Sequence, residues 1–209
     1  MSVTPTDSAL ANTDRPVPLI NIANGLTVLR IVLVPVVALT LLQAPNNPDE
    51  ATFRLTATAV FLLAAMTDHW DGRLARRRGL ITDFGKIADP IADKALMLTA
   101  LAVLSAIGEL SWLVTCVIAL REIGVTVLRF AVIRRAVIPA SLGGKIKTVV
   151  QIIAIALYIL PLTQTWQTLI AQLAMIAALA LTIATGAEYV FQIFGILAAA
   201  RAERKQGAK

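Results

Sequence analysis

Cysteine and histidine are almost absent from this chain: Cys116 and His69 are the only ones in 209 residues. One cysteine excludes an intrachain disulfide, and Cys116 sits in an apolar run where a thiol serves as packing. The scarcity of sulfur and imidazole ligands argues against zinc. Charge is also scarce, at 15% of residues, while 57% are hydrophobic and the mean hydropathy is +0.77. That balance excludes an ordinary soluble domain. The chain shows no fixed-period repeat, heptad run or low-complexity tract. No basic segment followed by an apolar core opens the N-terminus, so a cleaved leader is not expected.

What is abundant is long apolar runs. They cover Leu26 to Leu42, Leu55 to Met66, Ala95 to Ile107, Trp112 to Leu120 continuing to Ile133, Val149 to Leu160, and Leu169 to Ala184 continuing to Ala200. With about 20 residues needed per crossing, the pattern predicts an all-α integral membrane protein, a bundle of six transmembrane helices. The stretch Pro18 to Pro35, interrupted by Asn24-Gly25, predicts an N-terminal interfacial helix feeding the first span. Turns are expected at Pro45 to Asp49, Gly79 to Asp83, Gly108, Pro139 to Gly144 and Pro161, and Pro90 falls in the opening turns of the third helix. Three units follow: a polar, disordered segment 1–17, a membrane domain 18–200 and a basic cytoplasmic tail 201–209.

Orientation comes from the basic residues. Arg73, Arg76, Arg77, Arg78 and Lys86 fall at the second-to-third connection; Arg134, Arg135, Lys145 and Lys147 at the fourth-to-fifth; Arg201, Arg204, Lys205 and Lys209 at the C-terminus. Such residues prefer the cytoplasm, so both termini are expected there. The formal net charge of +6 is thereby topogenic, and nucleic acid is not an expected partner.

Against this background the run Asp68-x2-Asp71-Gly72-x2-Ala75-Arg76-x8-Gly85-x3-Asp89-x3-Asp93 stands out. Carboxylates near hydrocarbon are costly and mark functional sites. At about 100° per residue, Asp68 and Asp71 share one helical face, and Asp89 and Asp93 another. Antiparallel packing of the two helices would gather all four. Oxygen ligands without His or Cys favour hard cations such as Mg²⁺, Mn²⁺ or Ca²⁺. Gly72 and Ala75 leave a strip with little side-chain bulk for ligand approach, and Arg76 at its end suits a carboxylate or a phosphate. Carboxylates, a divalent metal and arginine are the parts of phosphoryl transfer.

Every fixed position of that run resembles the signature of the CDP-alcohol phosphatidyltransferase family. The resemblance extends to Asn21 to Arg30, Phe84 to Lys94, Arg121-Glu122-Ile123, Gly144 to Thr148 with Gln151, and Leu181 to Val190, stretches most similar to members that use glycerol 3-phosphate as acceptor. It implies that Asp68, Asp71, Asp89 and Asp93 bind Mg²⁺ or Mn²⁺, two ions per site. It implies further that CDP-diacylglycerol lies against Asp68, Gly72, Ala75, Arg76 and Gly85, and that Asp93 is also the catalytic base. Arg121, Lys145 and Lys147 become candidates for the acceptor phosphate, with Arg129 and Arg134 behind them. The resemblance also implies a homodimer in a prokaryotic plasma membrane, multi-pass, with the site facing the cytoplasm. Phosphatidylglycerol or inositol phosphate as acceptor, and a divalent-cation transporter with an Asp transit site, are the competing readings.

The remaining polar residues get simpler roles. Arg30 either snorkels to the interface or turns inward. His69 is read as a polar interface residue, Asp83 as a turn or cap, and Trp70, Trp112 and Trp166 as interface anchors. Glu188 is a candidate buried partner for an arginine.

Overall fold

The computed structural model describes residues 22–78, 83–132 and 142–206, and the side chains of 24–67, 90–128 and 143–195 within them. The described residues are all-helical. The helices are α1 (Ile22–Gln43), α2 (Glu50–Arg78), α3 (Asp83–Ala106), α4 (Trp112–Val132), α5 (Leu142–Ile159) and α6 (Thr165–Gln206), with one 3₁₀ turn at Ala44–Asn46. The segment 1–17 and the beginning of the expected interfacial helix lie outside the described residues. From Ile22 onward α1 is continuous, so Asn24-Gly25 does not interrupt it. Flanking apolar residues and intrahelical bonds outweigh the cost of one glycine, about 1 kcal/mol.

The connections follow local chemistry. Between α1 and α2, the Asn47 side-chain oxygen accepts a hydrogen bond from the Asp49 amide at 3.1 Å, and Glu50 places an acid in the first turn of α2. Helix α3 ends at Ala106, and the chain turns at Gly108, whose φ of +84° suits glycine; the Glu109 and Leu110 amides return to the Leu104 carbonyl. The Ser111 hydroxyl accepts from the Leu113 amide at the start of α4. At α6, the Gln167 side chain accepts from the Gln164 amide, closing the first turn from three residues ahead. Pro161 stands two residues past the end of α5.

Helix α1 packs on α2 and α3, α5 on α6, and α4 on α6 and α3, while α2 and α3 both also touch α5. The core is assembled from Val37 and Leu41 of α1, Phe61 of α2, Leu96, Leu101 and Leu104 of α3, Ile118 of α4, Ile155 and Ile159 of α5 and Met175 of α6. Its alanines, Ala57, Ala64, Ala100, Ala154 and Ala178, let backbones approach. Inside this core, Ser105 on α3 and Thr115 on α4 share a 2.7 Å hydrogen bond across helices.

The exterior is apolar too. Leu120 is 77% exposed, Phe191 75% and Leu113 72%, with Val32, Leu63 and Phe194 also on the surface. A soluble monomer does not present so much contiguous apolar area; lipid accounts for it. Among the described residues two helices are long and apolar enough to cross a membrane, over Asn24–Asn46 and Thr165–Gly195, and most of each window lies outside the buried core. The other four carry the charged residues that lower their hydropathy, such as Asp93 and Lys94 on α3, Arg121 and Glu122 on α4, and Lys145 and Lys147 on α5. At about 1.5 Å per residue, α6 extends roughly 63 Å, twice the hydrocarbon thickness. Its last turns contain Arg201 and Arg204.

Candidate active site

Helix α2 runs unbroken through Asp68 and Asp71, and α3 carries Asp89 and Asp93. The two helices pack together, so the four motif positions occupy the joined ends of neighbouring helices. Pro90 lies inside α3 and removes one intrahelical bond there. The side chains of Asp68, Asp71, Gly72, Ala75, Arg76, Gly85 and Asp89 lie outside the described residues, as do those of His69, Trp70, Arg129 and Arg134. Among the described residues no group of three or more acids, histidines or cysteines surrounds a metal-sized space. The motif contributes one member to that set, Asp93. A donor set of four carboxylates on two packed helices fits a hard divalent cation by its chemistry.

Asp93 is half-buried and lines a small cleft with Lys94 and Met97 of α3, Glu122 of α4, and Lys147, Thr148 and Gln151 of α5. Glu122 organises this floor. Its carboxylate accepts from the Lys147 ammonium and, at 3.1 Å, from Arg121 Nη1, while Lys94 Nζ stands 3.6 Å from the other oxygen. Lys147 and Glu122 are both buried, and Gln151 beside them is 2% exposed. One cation thus comes from each of three helices. Lys94, Arg121 and Lys147 carry three positive charges, and Glu122 and Asp93 two negative ones. An anion entering here would meet an excess of positive charge at low dielectric, where the attraction is strongest.

Of the three candidate phosphate ligands, the fold unites Arg121 and Lys147. Lys145 is exposed: two residues from Lys147, it faces about 200° around α5. Arg121 is held from a second side, where its Nη2 donates to the Thr185 hydroxyl of α6 at 2.8 Å. That hydroxyl in turn donates to the Leu181 carbonyl at 2.7 Å. Gly186 follows, and a Cβ there would lie 3.0 Å from Arg121 Cγ.

Sequence reasoning names Glu122 only as a partner for Arg121, and gives Lys94 and Gln151 no role of their own. The signal was present for Glu122: an acid in an apolar run must collect cations from elsewhere. Three lesser readings resolve differently. Arg30 is turned inward and buried, at 1% exposure. Cys116 is exposed and does not pack in the core; its place in an apolar run does not say whether it faces inward or outward. Glu188 is exposed and accepts from Gln192 at 3.3 Å instead of serving as a buried arginine partner. Trp112 and Trp166, exposed in the first turns of α4 and α6, match their expected place.

Fold and site together define a membrane-associated helical protein with a charged cleft beside a carboxylate motif. Residues 20–184 match the profile of the family described as CDP-alcohol phosphatidyltransferase. The chain is 52% identical over 170 residues, 81% of its length and 80% of the relative's, to a Mycobacterium tuberculosis (strain ATCC 25618 / H37Rv) protein named "Probable phosphatidylglycerophosphate synthase". It is 34% identical over 173 residues to the CDP-diacylglycerol–glycerol-3-phosphate 3-phosphatidyltransferase of Rickettsia bellii (strain RML369-C), covering 81% of this chain and 93% of that one. Against the enzyme of the same name from Bacillus subtilis (strain 168) identity is 37% over 150 residues, 67% of this chain and 77% of the relative. The chain belongs to the CDP-alcohol phosphatidyltransferase family and is an enzyme of that class.

Proposed function

We propose that this enzyme transfers a phosphatidyl group from CDP-diacylglycerol to glycerol 3-phosphate, giving phosphatidylglycerophosphate and CMP. The observation that carries the reading is the shared cleft. Asp93, the carboxylate assigned to take the acceptor's proton, lines it with Lys147 and Glu122, and Arg121, the second cation suited to the phosphate, pairs with the same Glu122 carboxylate. The relatives' names point to the same acceptor.

In this reading the acceptor phosphate binds at Lys147 and Arg121, with Lys94 adding positive charge and Lys145 attracting the anion from outside. Asp93 takes the proton of an acceptor hydroxyl. The freed oxygen forms a bond to the lipid-side phosphorus, the phosphorus–oxygen bond to the cytidine-bearing phosphate breaks, and CMP leaves. Asp68, Asp71, Asp89 and Asp93 would hold divalent cations, Mg²⁺ or Mn²⁺, whose charge would offset that of the pyrophosphate. Gly72, Ala75, Arg76 and Gly85, with Asp68, would seat the donor. Glu122 keeps the cations from repelling one another before the anion arrives.

The membrane arrangement follows. All six helices span, the membrane domain covers 18–200, and both termini face the cytoplasm with the active site. In support, Thr185 of α6 meets Arg121 close to the cleft, and α6 then continues into its basic end, so motif and basic tail share one end of the bundle. The short α1–α2 connection makes those helices antiparallel and puts the start of α1 at that end as well. A homodimer in a prokaryotic plasma membrane completes the reading.

The test is CMP release by purified protein given CDP-diacylglycerol and Mg²⁺ or Mn²⁺, with glycerol 3-phosphate, inositol phosphate and phosphatidylglycerol compared. Release driven by glycerol 3-phosphate supports the proposal. Release driven only by another acceptor would replace the substrate, and none with any acceptor would sink the reaction.

A further inference from the structure

We infer that the Thr185–Gly186 step of α6 is a positioning element: it sets the reach of Arg121 and, through it, the seat of the acceptor phosphate. The inference rests on the acceptor assignment above and extends it to a helix that the Asp motif does not touch. The two residues also lie just past the segment, 20–184, that matches the family profile.

Two independent contacts carry it. Among the described residues, Thr185 supplies the hydrogen bond that ties the Arg121 guanidinium to α6, at 2.8 Å, and its own hydroxyl proton is turned to the α6 backbone, with the Leu181 carbonyl at 2.7 Å and that of Thr182 at 3.3 Å. The oxygen therefore has a fixed direction in which to accept. Gly186 supplies room. A Cβ there would meet Arg121 Cγ at 3.0 Å, Nε at 3.5 Å and Cδ at 3.9 Å, whereas at Gly25, Gly124 and Gly195 an added Cβ would meet nothing within 4 Å. The contact falls on the middle of the arginine stem, which cannot yield without moving the guanidinium. Glu122 holds the same guanidinium through Nη1. The group is thus fixed between an acid and a hydroxyl on two helices, as a planar donor fork must be to receive a phosphate in one orientation.

A mid-helix glycine also costs stability relative to alanine, and this gives the test its discrimination. In the purified full-length enzyme, Gly186→Ala is expected to raise KM for glycerol 3-phosphate about tenfold, with KM for CDP-diacylglycerol within twofold and a Tm no lower than the parent's. Thr185→Val should produce the same split and Thr185→Ser should restore the parent values. A second measurement does not depend on turnover: the rise in Tm on adding glycerol 3-phosphate or inorganic phosphate should be large in the parent and small in Gly186→Ala. Equal losses for both substrates, an unchanged acceptor KM, or phosphate stabilisation undiminished in Gly186→Ala would overturn the inference. A parent inert toward glycerol 3-phosphate, yet stabilised by it in a Gly186-dependent way, would refute the reaction and support the seat.

Discussion

Replacing Glu122 by Gln removes the one negative charge that touches three cations, and the structure sets the size of the effect. The Glu122 and Lys147 side chains are 9% and 5% exposed, so water cannot replace the lost partner. Breaking a buried pair from one side costs about 3–5 kcal/mol. The Gln side-chain oxygen still accepts one of the hydrogen bonds, which places the expected loss near about 3 kcal/mol. Lys94 and Arg121, at 24% and 17% exposure, add less. Adding Lys147→Met removes the stranded ammonium, and deleting both members of a buried pair is often close to neutral. The double variant should therefore be more stable than Glu122→Gln alone, within about 1–2 kcal/mol of the parent. Equilibrium unfolding of the detergent-purified protein, followed by far-ultraviolet circular dichroism, reads both values. A single-variant loss under about 1 kcal/mol, or a double variant that loses the sum of the two singles, would refute the hub.

Asp93→Asn should lower the CMP release rate by at least about 100-fold while nucleotide-lipid affinity stays within threefold, by ligand-depletion binding; near-parent turnover would remove Asp93 from the proton transfer. At the other end of α2, Arg54 donates to Glu50 at 2.6 Å and to Glu109. Arg54→Ala should cost about 2 kcal/mol of stability and leave kcat per folded molecule unchanged, since Arg54 and Asp68 are about 21 Å apart along the helix; a selective fall in kcat would contradict that separation. Exposed Cys116 should be replaceable by Ala within about 0.5 kcal/mol. In that background, Thr163→Cys should react with an impermeant maleimide in intact cells and Gln206→Cys only after permeabilisation. The reverse pattern would invert the topology.

Local signals were readable from the chain. The apolar runs gave the helices, Gly108 and Pro161 marked real breaks, and the positions of Asp68, Asp71, Asp89 and Asp93 fall on α2 and α3 near the connection between them. Asn24-Gly25 misled because one glycine costs a helix only about 1 kcal/mol, which the intrahelical bonds on either side outweigh. What could not be read was convergence. Glu122 of α4 meets Lys94 of α3 and Lys147 of α5 only in the folded bundle, a tertiary fact without a sequence period. Lipid-facing and core-facing positions are both apolar in such a bundle, so composition could not say that Cys116 faces outward or that Arg121 reaches Thr185.

The central claim is that this site joins a lipid phosphate to glycerol 3-phosphate, and the direct measurement follows the acceptor's own phosphorus. With ³²P-labelled glycerol 3-phosphate, CDP-diacylglycerol and Mn²⁺, purified enzyme should move label into the chloroform-extractable lipid as a phosphomonoester, one label per CMP released, and chelation should stop it. Label that stays in the aqueous phase while CMP is released would contradict the account.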